Sequence, residues 1–302
     1  MKSMQIKIII PVLLFSCSVH IAAAQQIFRI SQFTQHNFLY NPAAAGANDA
    51  PSAGVTYRKM WTGISGGPET SLFFADKYFD KKKTGVGVFL FSDKTGPTSR
   101  NGGQVNLSYS VELGSKDKRL MFGLAGEMLQ YRINMAEIAA YLPNDPLLSA
   151  PGSKIKGDAA AGLYYRSPTL NLGFSVQHLL QSKFDFIKGS NNPQGKLYRH
   201  YFVMGSYNWQ VDEDNVLIPN ALLKYVPNTP ADFDLGMRLE HKDMLWIGFN
   251  YHYQQNYSAF AGVKIRQKFA IGYAYDLYKT PLSLFDQGGD AHEIMLRYFF
   301  VK

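Results

Sequence analysis

The sequence predicts an all-β chain closed into a transmembrane antiparallel β-barrel of about fourteen strands, with an irregular N-terminal segment at the periplasmic side or in the lumen. Three observations carry this. Apolar and polar residues alternate with a period of two along most of the chain, the pattern of strands whose two faces meet different surroundings. The connections between these segments are mostly short and long by turns, as in barrels with short periplasmic turns and longer outer loops. Tyr, Trp and Phe gather at segment ends, as at Trp61, Tyr78, Phe79, Tyr164, Tyr165, Trp209, Phe299 and Phe300, in the manner of interfacial girdles.

Residues 1–24 read as an export signal. Lys2 and Lys7 give a positive start, Ile8 to Phe15 an apolar stretch too short to span a bilayer, and Ala22 to Ala24 a small-residue cleavage site. The only cysteine, Cys17, falls inside it, so the exported chain should hold neither disulfide nor thiolate site. LFSC also resembles a lipoprotein box, although Phe15 fits poorly before the small residue. Residues 25–51 follow as a lead-in without alternation, and residues 52–302 as the barrel. Strands are expected near 52–64, 69–79, 85–92, 103–113, 119–131, 157–166, 169–180, 198–211, 216–226, 232–240, 244–253, 257–266, 268–277 and 291–301. The last must pair with the first near Gly54 to Trp61, since an open edge in lipid leaves unpaired backbone groups. Pro219 cannot donate to a ladder and is expected to mark a bulge or a strand end.

The alternation assigns faces. Val105, Leu107, Tyr109, Val111 and Leu113 share one side of their segment, opposite Gln104, Asn106, Ser108, Ser110 and Glu112; Leu170, Leu172, Phe174 and Val176 likewise oppose Asn171, Gly173, Ser175 and Gln177. A one-residue slip would put polar groups on the apolar face. A large exported sandwich would also alternate, but the aromatic clusters at segment ends favour the barrel.

The formal charge of +8, about +6 without Lys2 and Lys7, is dispersed in short turns such as KKK at 81–83 and forms no nucleic-acid footprint. Motifs with chemistry are missing. There is no G-x-S-x-G and no H-E-x-x-H, and Gly85-Val86-Gly87 lacks the third glycine of a dinucleotide site. His178, His200, His241 and His252 fall on separate strands, and Asp232, Asp234, Arg238 and Glu240 read as lumen-wall charges in water. Neither a metal nor another cofactor is expected.

FRISQFTQHNFLYNPAAAG, YRKMWTGISGGPET, TGVGVFLFSDKTGP, LNLGFSVQHLL and HEIMLRYFF together resemble the PorP/SprF family of type IX secretion system membrane proteins. Ser31, Gln32, Asn41, Pro42, Ala43 and Gly46 match the family's lead-in, and Tyr57, Arg58, Trp61, Gly63, Pro68 and Thr70 its first hairpin. Met60 departs from the usual Gln before the Trp. The resemblance implies a non-enzymatic outer-membrane barrel of the secretion and gliding apparatus. Its partners would be a secreted cargo or adhesin, periplasmic or outer-membrane machine components and the lipid bilayer. The matched residues are therefore candidates for partner binding or for plugging the barrel, with Arg58 facing the lumen and bonding lead-in carbonyls, so that Arg58→Ala should spare assembly. A small-solute porin and an outer-membrane hydrolase are the alternatives, and the stretch 132–156 is the candidate lumen filler. Arg placed at Leu172 or Phe174 on the lipid face should cost about 2–4 kcal/mol near the bilayer midplane, read from denaturant midpoints. The same change at Ser175 should cost less.

Overall fold

The structure, a computed structural model, describes residues 27–48, 50–141, 148, 152–184, 195–279 and 290–301. The predicted leader lies outside them. Among the described residues fourteen antiparallel strands form one closed wall. They are β1 (Ser52–Lys59), β2 (Glu69–Phe79), β3 (Thr84–Thr95), β4 (Thr98–Glu112), β5 (Arg119–Ile133), β6 (Ser153–Arg166), β7 (Leu170–Gln177), β8 (His200–Tyr207, resuming as Trp209–Gln210), β9 (Asn215–Tyr225), β10 (Asp232–His241), β11 (Leu245–His252), β12 (Asn256–Ile265), β13 (Phe269–Tyr278) and β14 (Ala291–Phe299). The seam joins β14 to β1 from Ser52 opposite Phe299 to Lys59 opposite His292, so no edge is left for lipid.

The faces follow the alternation. Leu172 and Phe174 are 47% and 48% exposed on the outer surface, whereas Ser175 is fully buried inside. Three boundaries differ from expectation for identifiable reasons. The expected loop SDKTGPTSRNGG is wall: β3 runs to Thr95 and β4 starts at Thr98, around a tight turn with Gly96 at φ 51°. Polar residues on both faces hide the period there. Next, β7 stops at Gln177, because His178 turns left-handed (φ 56°) and the Asp158 carboxylate accepts the backbone N–H groups of Leu180 and Ser182 at 2.9 and 3.1 Å. Finally, Pro219 marks neither a bulge nor an end of β9. It lies in the break between the pairs Asn220–Ser206 and Leu217–Trp209, where no ladder partner on β8 is needed, and the register is the same on both sides of the break.

The lead-in lies in the lumen. Phe28 packs on Phe91 with ring centroids 4.8 Å apart, and Arg29 pairs with Asp232 at 2.6 Å, both toward the long-loop end. The chain descends to Gln35, crosses the lumen as a short helix α1 (Asn37–Tyr40), and reaches the short-turn end at Ala45 beside Gly85. Ile30, Phe33, Phe38, Leu39 and Ala43 to Ala45 are buried against wall residues. This segment fills the lumen where 132–156 was expected to. Of that stretch the described part is largely strand and a short helix α2 (Met135–Tyr141), while residues 142–147 and 149–151 lie outside the description.

The filled lumen changes the expectation for Ser175, whose hydroxyl donates to the Tyr40 carbonyl at 2.6 Å with no room beside it. Arg at Ser175 should now be at least as damaging as Arg at Leu172, a loss of about 3 kcal/mol from burying an unpaired charge and displacing the lead-in. The direction of threading gives a second test. An epitope inserted before Ile27 should be labelled in intact cells from the same side as one in the hairpin between Trp61 and Pro68. It should be shielded when an epitope in the Lys81–Lys83 turn is reached.

Candidate docking site

The small, soft residues of the lead-in form a knot. The Asn41 side chain accepts from the Ala43 N–H at 3.0 Å and donates to the carbonyls of Leu163 and Phe174 at 2.9 and 3.3 Å, tying the knot to β6 and β7. Pro42 opens the one-turn 3₁₀ segment Pro42–Ala44, where a missing N–H costs nothing. The wall yields space with glycines. A Cβ at Gly123 would lie 2.1 Å from the Ala43 nitrogen, and one at Gly85 1.9 Å from the Ala45 carbonyl oxygen. Gly46 adopts φ 69° as the chain turns out toward β1.

Above the knot, at the seam, sits a buried charge cluster. Arg58 on β1 is 1% exposed and faces Glu293, its register partner on β14, and Asp276 on β13, both fully buried. Its guanidinium donates to Asp276 at 2.5 Å, to Glu293 at 3.3 Å, and to the Ser31 hydroxyl. Glu293 accepts the backbone N–H groups of Ser31 and Gln32 at 2.7 and 3.1 Å, and Asn250 donates to the Ser31 carbonyl at 2.6 Å. Arg58 thus reaches the lead-in through a hydroxyl, and it is Asn250 that reaches a carbonyl. The cluster continues through Asp234, which accepts from Lys224 at 2.6 Å and from His252 at 2.6 Å. Asp234, read as a charge in water, is buried and paired, whereas Arg238 and Glu240, 2.8 Å apart, do border a cavity.

Asp234, His252 and Ser258 line up as an acid, an imidazole and a hydroxyl, with His252 Nε2 2.9 Å from Ser258 Oγ. Their surroundings quench the chemistry. Ser258 donates to Asp276 in competition with His252, and an oxyanion developing at that point would face carboxylates where donors are required. All three side chains are buried beneath the lead-in.

The sequence-matched residues fall in separate places. Asn41, Pro42, Ala43 and Gly46 make the knot, and Arg58 anchors the seam. Tyr57 faces outward, 45% exposed. Trp61, Gly63 and Pro68 belong to the loop-end hairpin, where the Met60 N–H donates to the Pro68 carbonyl at 2.8 Å and the Thr62 N–H to the Asp290 carbonyl at 3.3 Å. Thr70 points inward to Asp93 at 2.7 Å. Glu293, Asp276, Asn250, Ser258 and Lys224 escaped the sequence reading as a site. Their one signal was a polar residue on the inward phase of late strands. At the short-turn end two adjoining cavities of about 430 and 380 Å³, sharing Asn48 and Glu240, form a vestibule below the lead-in.

Residues 22–298 match a family model described as Type IX secretion system membrane protein PorP/SprF. No match is found among curated proteins. Among solved structures, the toluene transporter TbuX of Ralstonia pickettii is similar over 87% of this chain and 93% of its own, at 12% identity and a TM-score of 0.53. A FadL homologue from Pseudomonas aeruginosa is similar over 86% and 93%, at 12% identity and a TM-score of 0.50. At such identities these two share the barrel fold. Family and fold together make the protein a multi-pass β-barrel of the outer membrane. The chain belongs to the PorP/SprF family of type IX secretion system membrane proteins.

Proposed function

We propose that this barrel docks a secreted cargo or adhesin at its loop end and couples through its short-turn end to periplasmic components of the type IX secretion and gliding machine, with no reaction of its own. The observation that carries this reading is the filled lumen. Residues 27–47 are bonded to strands on opposite sides of the wall, through Asn41 to β6 and β7 and through Ser31 to β13 and β14. A barrel occupied by its own chain offers partners its rims more readily than a passage. Trp61, Gly63 and Pro68 sit on the outer rim in a hairpin braced against Asp290, and the vestibule opens at the other. Against the hydrolase alternative stands the Ser258 hydroxyl, which donates to Asp276 in competition with His252.

With Arg58 shared between Asp276 and Glu293, Arg58→Ala should not separate docking from assembly. It leaves Asp276 and Glu293 buried without their shared cation, a loss of about 3–5 kcal/mol. The rim hairpin gives the cleaner test. Trp61→Ala should leave the barrel at wild-type level in the outer membrane while cargo binding weakens by about tenfold, the loss of one aromatic anchor. Surface-exposed cargo measured in the same strain decides it, and unchanged display would remove the rim from the docking site. The porin alternative is decided by conductance: the intact protein in a planar bilayer should show no steps, and removal of residues 27–35 should open them.

A further inference from the structure

The wall grips the lead-in in two ways. From Asn41 to Gly46 the fit is largely steric, with glycines cut to the shape of the chain beside the hydrogen bonds of Asn41 to β6 and β7 and of Ser108 to the Ala45 carbonyl. From Arg29 to Gln32 it is polar and made by wall side chains. Asp232 accepts from the Arg29 guanidinium at 2.6 Å, Glu293 from the N–H groups of Ser31 and Gln32, Asp276 from the Ser31 hydroxyl at 2.8 Å, and Asn250 donates to the Ser31 carbonyl. The wall therefore reads the backbone of a segment that turns at Ser31 and Gln32, so that two successive N–H groups meet one carboxylate, together with a cation and, two positions on, a small hydroxyl. No sheet pairing joins this segment to the wall; side chains alone hold it.

Charge gives the wall a preference. Among the described residues Asp276 and Glu293 share Arg58, Asp234 pairs with Lys224 and His252, and Asp232 pairs with Arg29. Arg29 is the cation of this set that the lead-in itself brings to the wall. An apolar or acidic segment would remove that pair and put no cation in its place, and taking one partner out of a buried or half-buried ion pair is costly. Asp232 is the first residue of β10 at the loop end, so the Arg29 contact lies nearest the outer mouth, next to a void of about 30 Å³ lined by Ile27 and Phe28.

We propose that the β9–β14 wall is a peptide-recognition site, held in cis by residues 29–32, which a polypeptide segment carrying a cationic side chain two positions before a serine or threonine, and turning as Ser31 and Gln32 do, takes in trans from the loop end. The knot stays in place during the exchange, and the segment above it is displaced. This deepens the reading of the barrel as a docking protein and rests on it.

The test uses the full-length protein in detergent with its only native cysteine replaced, Cys17→Ser, and a reporter cysteine introduced as Ser31→Cys. The probe is a synthetic peptide of residues 27–35. Maleimide labelling of the reporter should be slow in the folded barrel and should rise about tenfold, saturably, as the peptide displaces the segment it copies. A peptide carrying Arg29→Glu should produce no rise. Ile30→Cys serves as a second reporter, and hydrogen exchange of residues 27–35 in the unsubstituted protein reads the same displacement without any variant. A labelling rate and an exchange rate unmoved by the wild-type peptide overturn the proposal, as does equal acceleration by the charge-reversed peptide. If the peptide fails while Trp61→Ala still lowers cargo display, the lumen site falls and rim docking stands. If the peptide exchanges while Trp61→Ala leaves display unchanged, the lumen site stands without the rim.

Discussion

The ion cluster at the seam is the constraint on which the rest of the structure depends. Arg58 comes from the first strand, Glu293 from the last and Asp276 from the one before, so the charges are paired only when the barrel is closed. Two of the remaining acceptor demands are met by the backbone of Ser31 and Gln32, so they are satisfied only when the lead-in is inside. Taking one charge out of such a cluster costs about 3–5 kcal/mol, a large part of the 5–15 kcal/mol that separates a typical folded domain from its unfolded chain. Closure and filling are therefore one event energetically. An open barrel separates these charges, and a closed, empty one leaves Glu293 without the N–H groups of Ser31 and Gln32.

The same coupling explains why two kinds of residue line the lumen. Where backbone must approach backbone the wall carries glycine, as at Gly85 and Gly123, with Ser108 beside Gly85 donating to the Ala45 carbonyl at 2.8 Å. From Arg29 to Gln35 the wall carries carboxylates, amides and guanidinium groups, many of whose hydrogen bonds are directed at the lead-in. Arg297 donates to the Gln35 carbonyl and Arg238 to the Thr34 hydroxyl at 3.4 Å, continuing this pattern toward the short-turn end. Specificity of position comes from these polar contacts, since a buried donor or acceptor left unpaired costs more than the net gain of making the bond.

Much of the barrel was legible because its signal is local. Alternation placed Leu172 and Phe174 outward and Ser175 inward, and the last strand closes on the first where a barrel requires it. The tall hairpin of β3 and β4 was missed because Asp93, Arg100 and their neighbours are polar on both faces once the wall rises past the apolar band. The site was less legible. Arg58 could be placed on the inward phase of β1, but its carboxylates stand 218 and 235 residues away, and nothing periodic links them. Asn41 and Pro42 announced a turn, not that the turn would be knotted into glycines of strands far along the chain.

The threading of the lead-in has a kinetic side. Residues 29–32, at the very start of the folded chain, bond to strands completed only at its end, so the sequence separation between partners is close to the largest this protein allows. Such contacts bring no reward until nearly all of the wall exists, which raises the entropic barrier and slows folding. The lead-in is placed most directly before the seam shuts, while the wall it bonds to is still open-sided. Closure then seals in a segment that is already paired, and a misplaced N-terminal segment delays it.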